Sequence, residues 1–213
     1  MTVIPSLNRV PVGQRGITIG DFLVPIRVGE RISPLLRHVL LVALGAVVIY
    51  LTARIYFTIP PNPVPYTMQN FGVLLVGGAL GFRRGALAAA LYLAVGVIGI
   101  PAFAEGRGGI SVIWGATGGY LIGFVVAAAI VGWLAEHGWD RRLGGSLGAT
   151  ALGTAVIYAL GVPWLAVTMG MGPVAAIENG LLPFLVVDIL KMLGVALVFP
   201  VAWWVVGRRP SER

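Results

Sequence analysis

Long apolar stretches, separated by short turns rich in glycine, proline or arginine, run through most of the chain. Six stand out, over residues 38–58, 69–80, 85–99, 115–134, 143–169 and 181–206. Several approach or exceed the ~18 apolar residues that cross a bilayer. The pattern predicts an all-α polytopic membrane protein, a bundle of six transmembrane helices. The second and third stretches are short for a ~30 Å hydrocarbon core. They are expected to form a hairpin around Arg83 and Arg84, shielded by longer neighbours. Pro163 predicts a kink in the fifth helix. Pro183 falls in the first turn of the sixth, where proline is tolerated.

The flanks read differently. Residues 1–37 mix polar and apolar positions, carry five arginines and are interrupted by Pro5, Pro11, Pro25 and Pro34. They lack the basic start, apolar run and small-residue cleavage site of a signal peptide. The expected organisation is a cytoplasmic tail over 1–37, with a short interfacial piece near 17–28. A six-helix domain over 38–206 and a cytoplasmic tail over 207–213 follow.

Charge then orients the bundle. Arg9, Arg15, Arg27, Arg31, Arg37, Arg83, Arg84, Arg141, Arg142, Arg208, Arg209 and Arg213 all fall on one side of this topology. The opposite loops hold Arg107 alone, while Arg54 and Lys191 lie within spans. Basic residues gather on the cytoplasmic side. Both termini are therefore expected inside the cell (plasma) membrane, with outer loops at about 59–68, 100–114 and 170–180.

Composition agrees and excludes other classes. Of 213 residues, 58% are hydrophobic and 11% charged, against roughly 25% charged in soluble domains. A soluble fold could not cover its surface with so few charges, so a nucleic-acid-binding domain or a disordered chain is excluded. The absence of cysteine removes disulfides and thiolate chemistry, and two histidines, His38 and His137, make a histidine metal site improbable. No metal or other cofactor is called for. No P-loop is present. Gly144-Gly145-Ser146-Leu147-Gly148 has the form G-x-S-x-G but opens an apolar helix, without the strand–turn–helix setting the motif requires. No catalytic residue is assigned, and the chain does not read as an enzyme. Small residues recur at spacings of four: Gly115, Gly119, Gly123 and Ala127; Gly144 and Gly148; Ala86, Ala90 and Ala94. Such stripes bring helices close in lipid. On the first helix, Ala43, Ala46 and Ala53 offer a candidate face for a partner membrane protein.

Ionisable residues inside a span are costly and point to function. Asp188 and Lys191, spaced i, i+3, share one helix face, about 10 Å from the outer end if that helix starts near residue 181. Together they offer a carboxylate acceptor and an ammonium donor, suited to a ligand with both N–H and C=O groups. Arg54, near the outer end of the first helix, can snorkel to the interface. The outer loop over 101–114 is glycine-rich and ends in Trp114. It allows close backbone approach to a ligand.

The ordered set Pro63-Val64-Pro65-Tyr66-Thr67-Met68-Gln69-Asn70-Phe71-Gly72, Gly81-Phe82-Arg83-Arg84-Gly85, Gly99-Ile100-Pro101, the glycine loop, Gly115-Ala116-Thr117-Gly118-Gly119-Tyr120 and Asp188-x-x-Lys191 resembles the BioY family. That family comprises the biotin-binding S-components of energy-coupling-factor (ECF) vitamin transporters. The resemblance spans about 38–206. It implies capture of biotin from outside and association with a transmembrane coupling protein and two ATPase subunits. It carries ligand contacts to Asp188, Lys191 and Arg107, with Tyr120, Thr67 and Gln69 as cavity walls. On this reading the ureido group sits deepest, with Asp188 accepting from N–H and Lys191 donating to the carbonyl. Tyr120, Tyr92 and Trp114 flank the thioether ring, and Arg107 meets the carboxylate. The reverse orientation, with the valerate on Lys191, stays open. The loop over 101–114 would close as a lid. Arg107, Leu121 and Ala116 depart from residues found in relatives, and the first helix lacks a strict Ala-x-x-x-Ala. A stand-alone carrier, or a ligand-free structural subunit, remain the alternatives.

Overall fold

The computed structural model describes residues 18–23, 33–60 and 62–207. The chain is mostly helical. Its helices are α1 (Gly20–Leu23), α2 (Pro34–Ala53), α3 (Gln69–Leu80), α4 (Phe82–Val97), α5 (Gly118–Glu136), α6 (Leu143–Met169), α7 (Pro173–Gly180) and α8 (Leu185–Gly207). A two-stranded antiparallel hairpin, β1 (Tyr56–Phe57) with β2 (Tyr66–Thr67), lies between α2 and α3 and qualifies the all-helical expectation. Of the expected tails, residues 1–17, 24–32 and 208–213 lie outside the described residues, and with them Arg9, Arg15, Arg27, Arg31, Arg208, Arg209 and Arg213. The same holds for half of the interfacial piece expected near 17–28, residues 17 and 24–28.

Among the described residues, four helical segments, Pro34–Ala53, Gly118–Glu136, Leu143–Met169 and Pro173–Val205, are long and apolar enough to cross a membrane. The last runs through α7 and α8. Helix α3, with 12 residues, is only about 18 Å long. It is surrounded by α2, α4, α5 and α8. The expected shielding of the short hairpin therefore holds for α3. Helix α4 is different: its buried residues are Gly85, Ala88, Ala89, Tyr92 and Gly96, and Leu87, Leu91 and Ile98 are exposed.

Local chemistry sets the element ends. Helix α2 starts four residues before the expected 38 because the Ser33 hydroxyl accepts from Leu36 N–H at 3.2 Å, with Pro34 in the first turn. It stops at Ala53, so Tyr56 and Phe57, expected in the helix, pair instead with Thr67 and Tyr66. The α3–α4 turn is made at Gly81, at φ 85° and against Glu136 and Thr18, where no side chain fits. Arg83 and Arg84 open α4 itself. Helix α6 follows its expected bounds, and Pro163 lies inside it. The outer loop expected at 170–180 is mostly helix α7, and α8 starts at Leu185 after a 3₁₀ turn over Leu182–Phe184 that contains Pro183. Asp188 is therefore in the first turn of α8, not several residues deep.

The small-residue stripes meet different fates. Gly119 and Gly123 pack against α6 at Trp164 and Ile157, and Gly77 and Gly132 pack against backbone at Ala128 and Gly81. Such contacts let dispersion act at close range without a hydrophobic drive between helices. The stripe Ala86, Ala90 and Ala94 lies at the edge of the buried face, with Ala86 and Ala90 half-buried and Ala94 exposed, because α4 buries Gly85, Ala88 and Ala89 instead. On α2 the candidate partner face fails: Ala46 and Ala53 are buried in the core, and a Cβ on Gly45 would meet Ala88. A face already filled by α3 and α4 cannot also receive a partner.

At the end of the bundle carrying the Gly81 turn, polar groups tie the elements together. Asp21 holds Arg84 at 2.8 Å, and its backbone carbonyl accepts from Arg37. Burial pushes the Asp21 carboxyl up, but Arg84 and the Thr18 donors outweigh it and hold it below its usual range. Asp140, in the turn after α5, accepts from Trp203 Nε1 at 2.6 Å while Arg141 lies over the Trp203 ring. Burial raises its carboxyl to about 6, against the lowering effects of Trp203 and Arg141.

A raised carboxyl in the folded state means that the fold binds this proton more readily than the unfolded chain. Stability from this group is absent well above pH 6 and accrues as pH falls toward 4. Asp140→Asn keeps an acceptor for Trp203 and removes the titration. The melting temperature of the wild type relative to Asp140→Asn should rise between pH 7 and pH 5, by the equivalent of about 1 kcal/mol. A constant difference would assign Asp140 an ordinary carboxyl.

Candidate functional site

At the opposite end of the bundle, the start of α3 carries the chemistry. Strand β2 delivers Thr67, whose hydroxyl accepts from Gln69 N–H at 3.2 Å and so caps the first turn. Gln69 and Asn70, the first two residues of the helix, then project from that turn. A cavity of about 50 Å³ opens beside them, lined by Val64, Pro65, Thr67, Gln69, Asn70, Thr117, Tyr120, Leu121, Phe124, Tyr158 and Phe184. It is walled by apolar and aromatic groups with a few polar ones, the usual make-up of a small-molecule site. Its size leaves room for a few waters only.

Asp188 sits immediately behind this wall. Its carboxylate receives Asn70 Nδ2 at 2.7 Å, Tyr158 O–H at 2.5 Å and Lys191 Nζ at 2.6 Å. Asp188 and Lys191 are 2% and 7% exposed, so the charges meet apolar protein and each other. The donors come from α3, α6 and α8. Tyr120 O–H donates to the Gly180 carbonyl at 2.8 Å and pins the end of α7, a few residues ahead of α8. Gly161 leaves space for the Tyr120 ring.

The remaining sequence-derived residues fall into two groups. Thr67, Gln69 and Tyr120 line the cavity. Tyr92 lies one layer behind Gln69: its hydroxyl receives Gln69 Nε2 at 2.6 Å and donates to the Ala102 carbonyl at 3.1 Å. Trp114 is 67% exposed and stacks on Trp164 at 6.0 Å, away from the cavity lining. Arg107 is partly exposed and pairs with Glu105 at 3.0 Å. The loop over 101–114 folds onto the bundle. Phe103 packs on Gly96, and Arg54 donates to Tyr50 O–H and the Pro101 carbonyl. Arg54 therefore clamps this loop rather than simply snorkelling.

Sequence reasoning missed Asn70, Tyr158, Phe124 and Phe184. Asn70 lay inside the quoted motif, next to Gln69, but an amide in an apolar helix does not announce a carboxylate partner 118 positions away. Nor did the hairpin: Phe57 stacks on Tyr66 at 4.7 Å and Tyr66 meets Phe184 at 4.4 Å, forming an aromatic column that ends on Phe184 of the cavity lining.

Three comparisons bear on this geometry. The model of the BioY family matches residues 26–208. The biotin transporter BioY of Thermotoga maritima is 38% identical over 144 residues, covering 67% of this chain and 83% of that protein. The probable biotin transporter BioY of Pyrococcus horikoshii is 41% identical over 155 residues, covering 73% and 89%. The fold matches a crystal structure of the S-component for biotin from an ECF-type ABC transporter with a TM-score of 0.73 at 23% identity, over 83% of this chain and 94% of that one. With the motifs in order on one helical scaffold and the family model covering most of its length, this chain belongs to the BioY family.

Proposed function

We propose that the chain is the membrane subunit that captures biotin from outside the cell and hands it to an ATP-driven ECF transporter. The observation that carries this reading is the buried Asp188–Lys191 pair, held by Asn70 and Tyr158 behind the wall of an aromatic cavity. A buried ion pair seldom stabilises a fold more than apolar residues would. Its position directly behind the wall of a cavity lined by Asn70 and Tyr158, which both donate to its carboxylate, gives it a task. The relatives' names supply the ligand.

In this reading six helices, α2 to α6 and α8, span the bilayer. Helix α3 crosses only with the help of its neighbours. Both termini lie in the cytoplasm with the basic turns at Arg83–Arg84 and Arg141–Arg142, and the cavity faces outward. The ureido ring of biotin sits at the polar end against Asn70, Tyr158 and the charged pair behind them. The thioether ring lies against Phe124, Leu121 and Tyr120. The valerate points outward, where Arg107 is the nearest candidate cation on the outer loop. Sites for ligands of this size run to about 300 Å³ or more, so entry requires the walls to part. The column of Phe57, Tyr66 and Phe184 and the loop over 101–114 are the parts that cover the mouth. The chain holds no nucleotide-binding motif, so a coupling protein and two ATPases energise release.

Titration of biotin into the detergent-purified protein tests this, followed by calorimetry or tryptophan fluorescence with riboflavin and thiamine as controls. Saturable one-to-one binding selective for biotin is expected. Silence from well-folded protein overturns the ligand assignment. Asp188→Asn leaves Lys191 without its counter-charge and Asn70 and Tyr158 without their anchor. It should weaken biotin by at least ~1.5 kcal/mol, about tenfold. An unchanged affinity removes Asp188 from the site. Uptake should vanish in cells lacking the ATPase and coupling subunits, and persistent uptake there would make the chain a stand-alone carrier.

A further inference from the structure

The two adjacent amides at the start of α3 have their polarity forced by groups the ligand does not touch. A neutral amide can present either its carbonyl or its N–H₂ to a cavity, and nothing in its own chemistry selects one. Here the surroundings select. The Ala102 carbonyl can only accept, so Tyr92 spends its proton there. The Tyr92 oxygen is then left to accept, and Gln69 must turn its N–H₂ toward it, at 2.6 Å. Likewise the Asp188 carboxylate, paired with Lys191, accepts from Asn70, which must turn its N–H₂ inward at 2.7 Å. Tyr158 also gives its proton to Asp188. Among the described residues, neither Gln69 Oε1 nor Asn70 Oδ1 has a protein partner, and both residues line the cavity.

We propose that Gln69 and Asn70 are the specificity-determining residues of this site, presenting two carbonyl acceptors locked in place from behind. On that assignment the cavity selects ligands carrying paired N–H donors, and Tyr92 is the positioning residue for Gln69. Asp188 acts through Asn70 and Tyr158, which line the cavity where it does not and hold its Oδ2. The inference rests on the proposed capture of biotin and deepens it: the ureido ring is the group read, and its two N–H bonds are the feature recognised. It also explains the placement of Tyr92, which the cavity does not touch. Its hydroxyl links the amide that meets the ligand to Ala102, in the outer loop clamped by Arg54. A site built around fixed acceptors rejects a ligand that meets them with an oxygen, because two acceptors then face each other without a proton.

The test compares biotin with its cyclic carbamate analogue, in which one ureido N–H is replaced by ring oxygen, a change that conserves shape. Binding to detergent-purified wild type, Tyr92→Phe and Gln69→Met is measured by calorimetry, with folding checked by thermal melting. Wild type should bind the carbamate about tenfold or more weaker than biotin. In Tyr92→Phe the Gln69 amide is free to turn and offer N–H₂ to the carbamate oxygen. The ratio between the two ligands should then contract to within about threefold, partly by a gain in carbamate affinity, which loss of structure would not produce. Gln69→Met should contract the ratio by weakening biotin alone. Equal affinities in wild type, or an unchanged ratio in Tyr92→Phe, overturns the proposal while leaving biotin capture intact. A folded wild type that binds neither ligand overturns the biotin reading, and this one with it.

Discussion

A carboxylate buried in an apolar bundle has to be met by donors, and Asp188 imposes that demand on three helices at once. Removing an ionised group from water costs several kcal/mol unless charge and hydrogen bonds replace the solvent. Asn70 from α3, Tyr158 from α6 and Lys191 one turn along α8 do so, all within 2.7 Å. None of these helices can shift alone without exposing the charge to hydrocarbon. The register of α8 is thereby set against α3 and α6 at the level of the cavity. The Tyr120 bond to Gly180 holds the approach to α8 in the same frame.

Helix α3 is where this constraint meets packing. It is too short to span a bilayer unaided, and eight of its residues are buried, including Gly72, Gly77 and Gly78. A Cβ on these glycines would strike Thr52, Ala128 or Phe199, so neighbouring elements approach α3 on several sides. That enclosure leaves Gln69 and Asn70 in its first turn as the polar side chains of an otherwise apolar helix. Gln69 and Asn70 face the cavity from a rigid helix end rather than from a loop, which suits a site whose geometry must persist before the ligand arrives.

The elements around this end of the bundle are joined by aromatic contacts and by side-chain donors clamping backbone carbonyls. The column of Phe57, Tyr66 and Phe184 joins the hairpin to the start of α8. Asn62 donates to the Asn179 carbonyl at 3.0 Å and ties the same hairpin to α7. The glycine-rich loop is anchored by Phe103 on Gly96 and by Arg54 on Pro101.

Hydrophobic runs and the absence of charge determined, from the sequence alone, that the chain is helical, membrane-suited and without a soluble domain's surface. Burial of apolar length in lipid is a local property, readable one segment at a time. The bounds of α6, the shortness of α3 and the Asp188–Lys191 spacing were legible for that reason, since i, i+3 neighbours share a face on any helix. What lay beyond reach depends on groups distant in the chain. Which face of α2 and α4 turns inward is decided by the helices they meet, so the sequence does not reveal that Ala46 and Ala53 of the Ala43, Ala46 and Ala53 face are buried, or that Ala86 and Ala90 are half-buried while Ala94 is exposed. Trp114 and Arg107 share a loop with Ala102, but only its folded course shows that Ala102 turns in and Trp114 out. Asn70 is an ordinary polar residue until Asp188 is brought beside it. The direction in which its amide points follows from a proton balance among side chains that only the tertiary structure assembles.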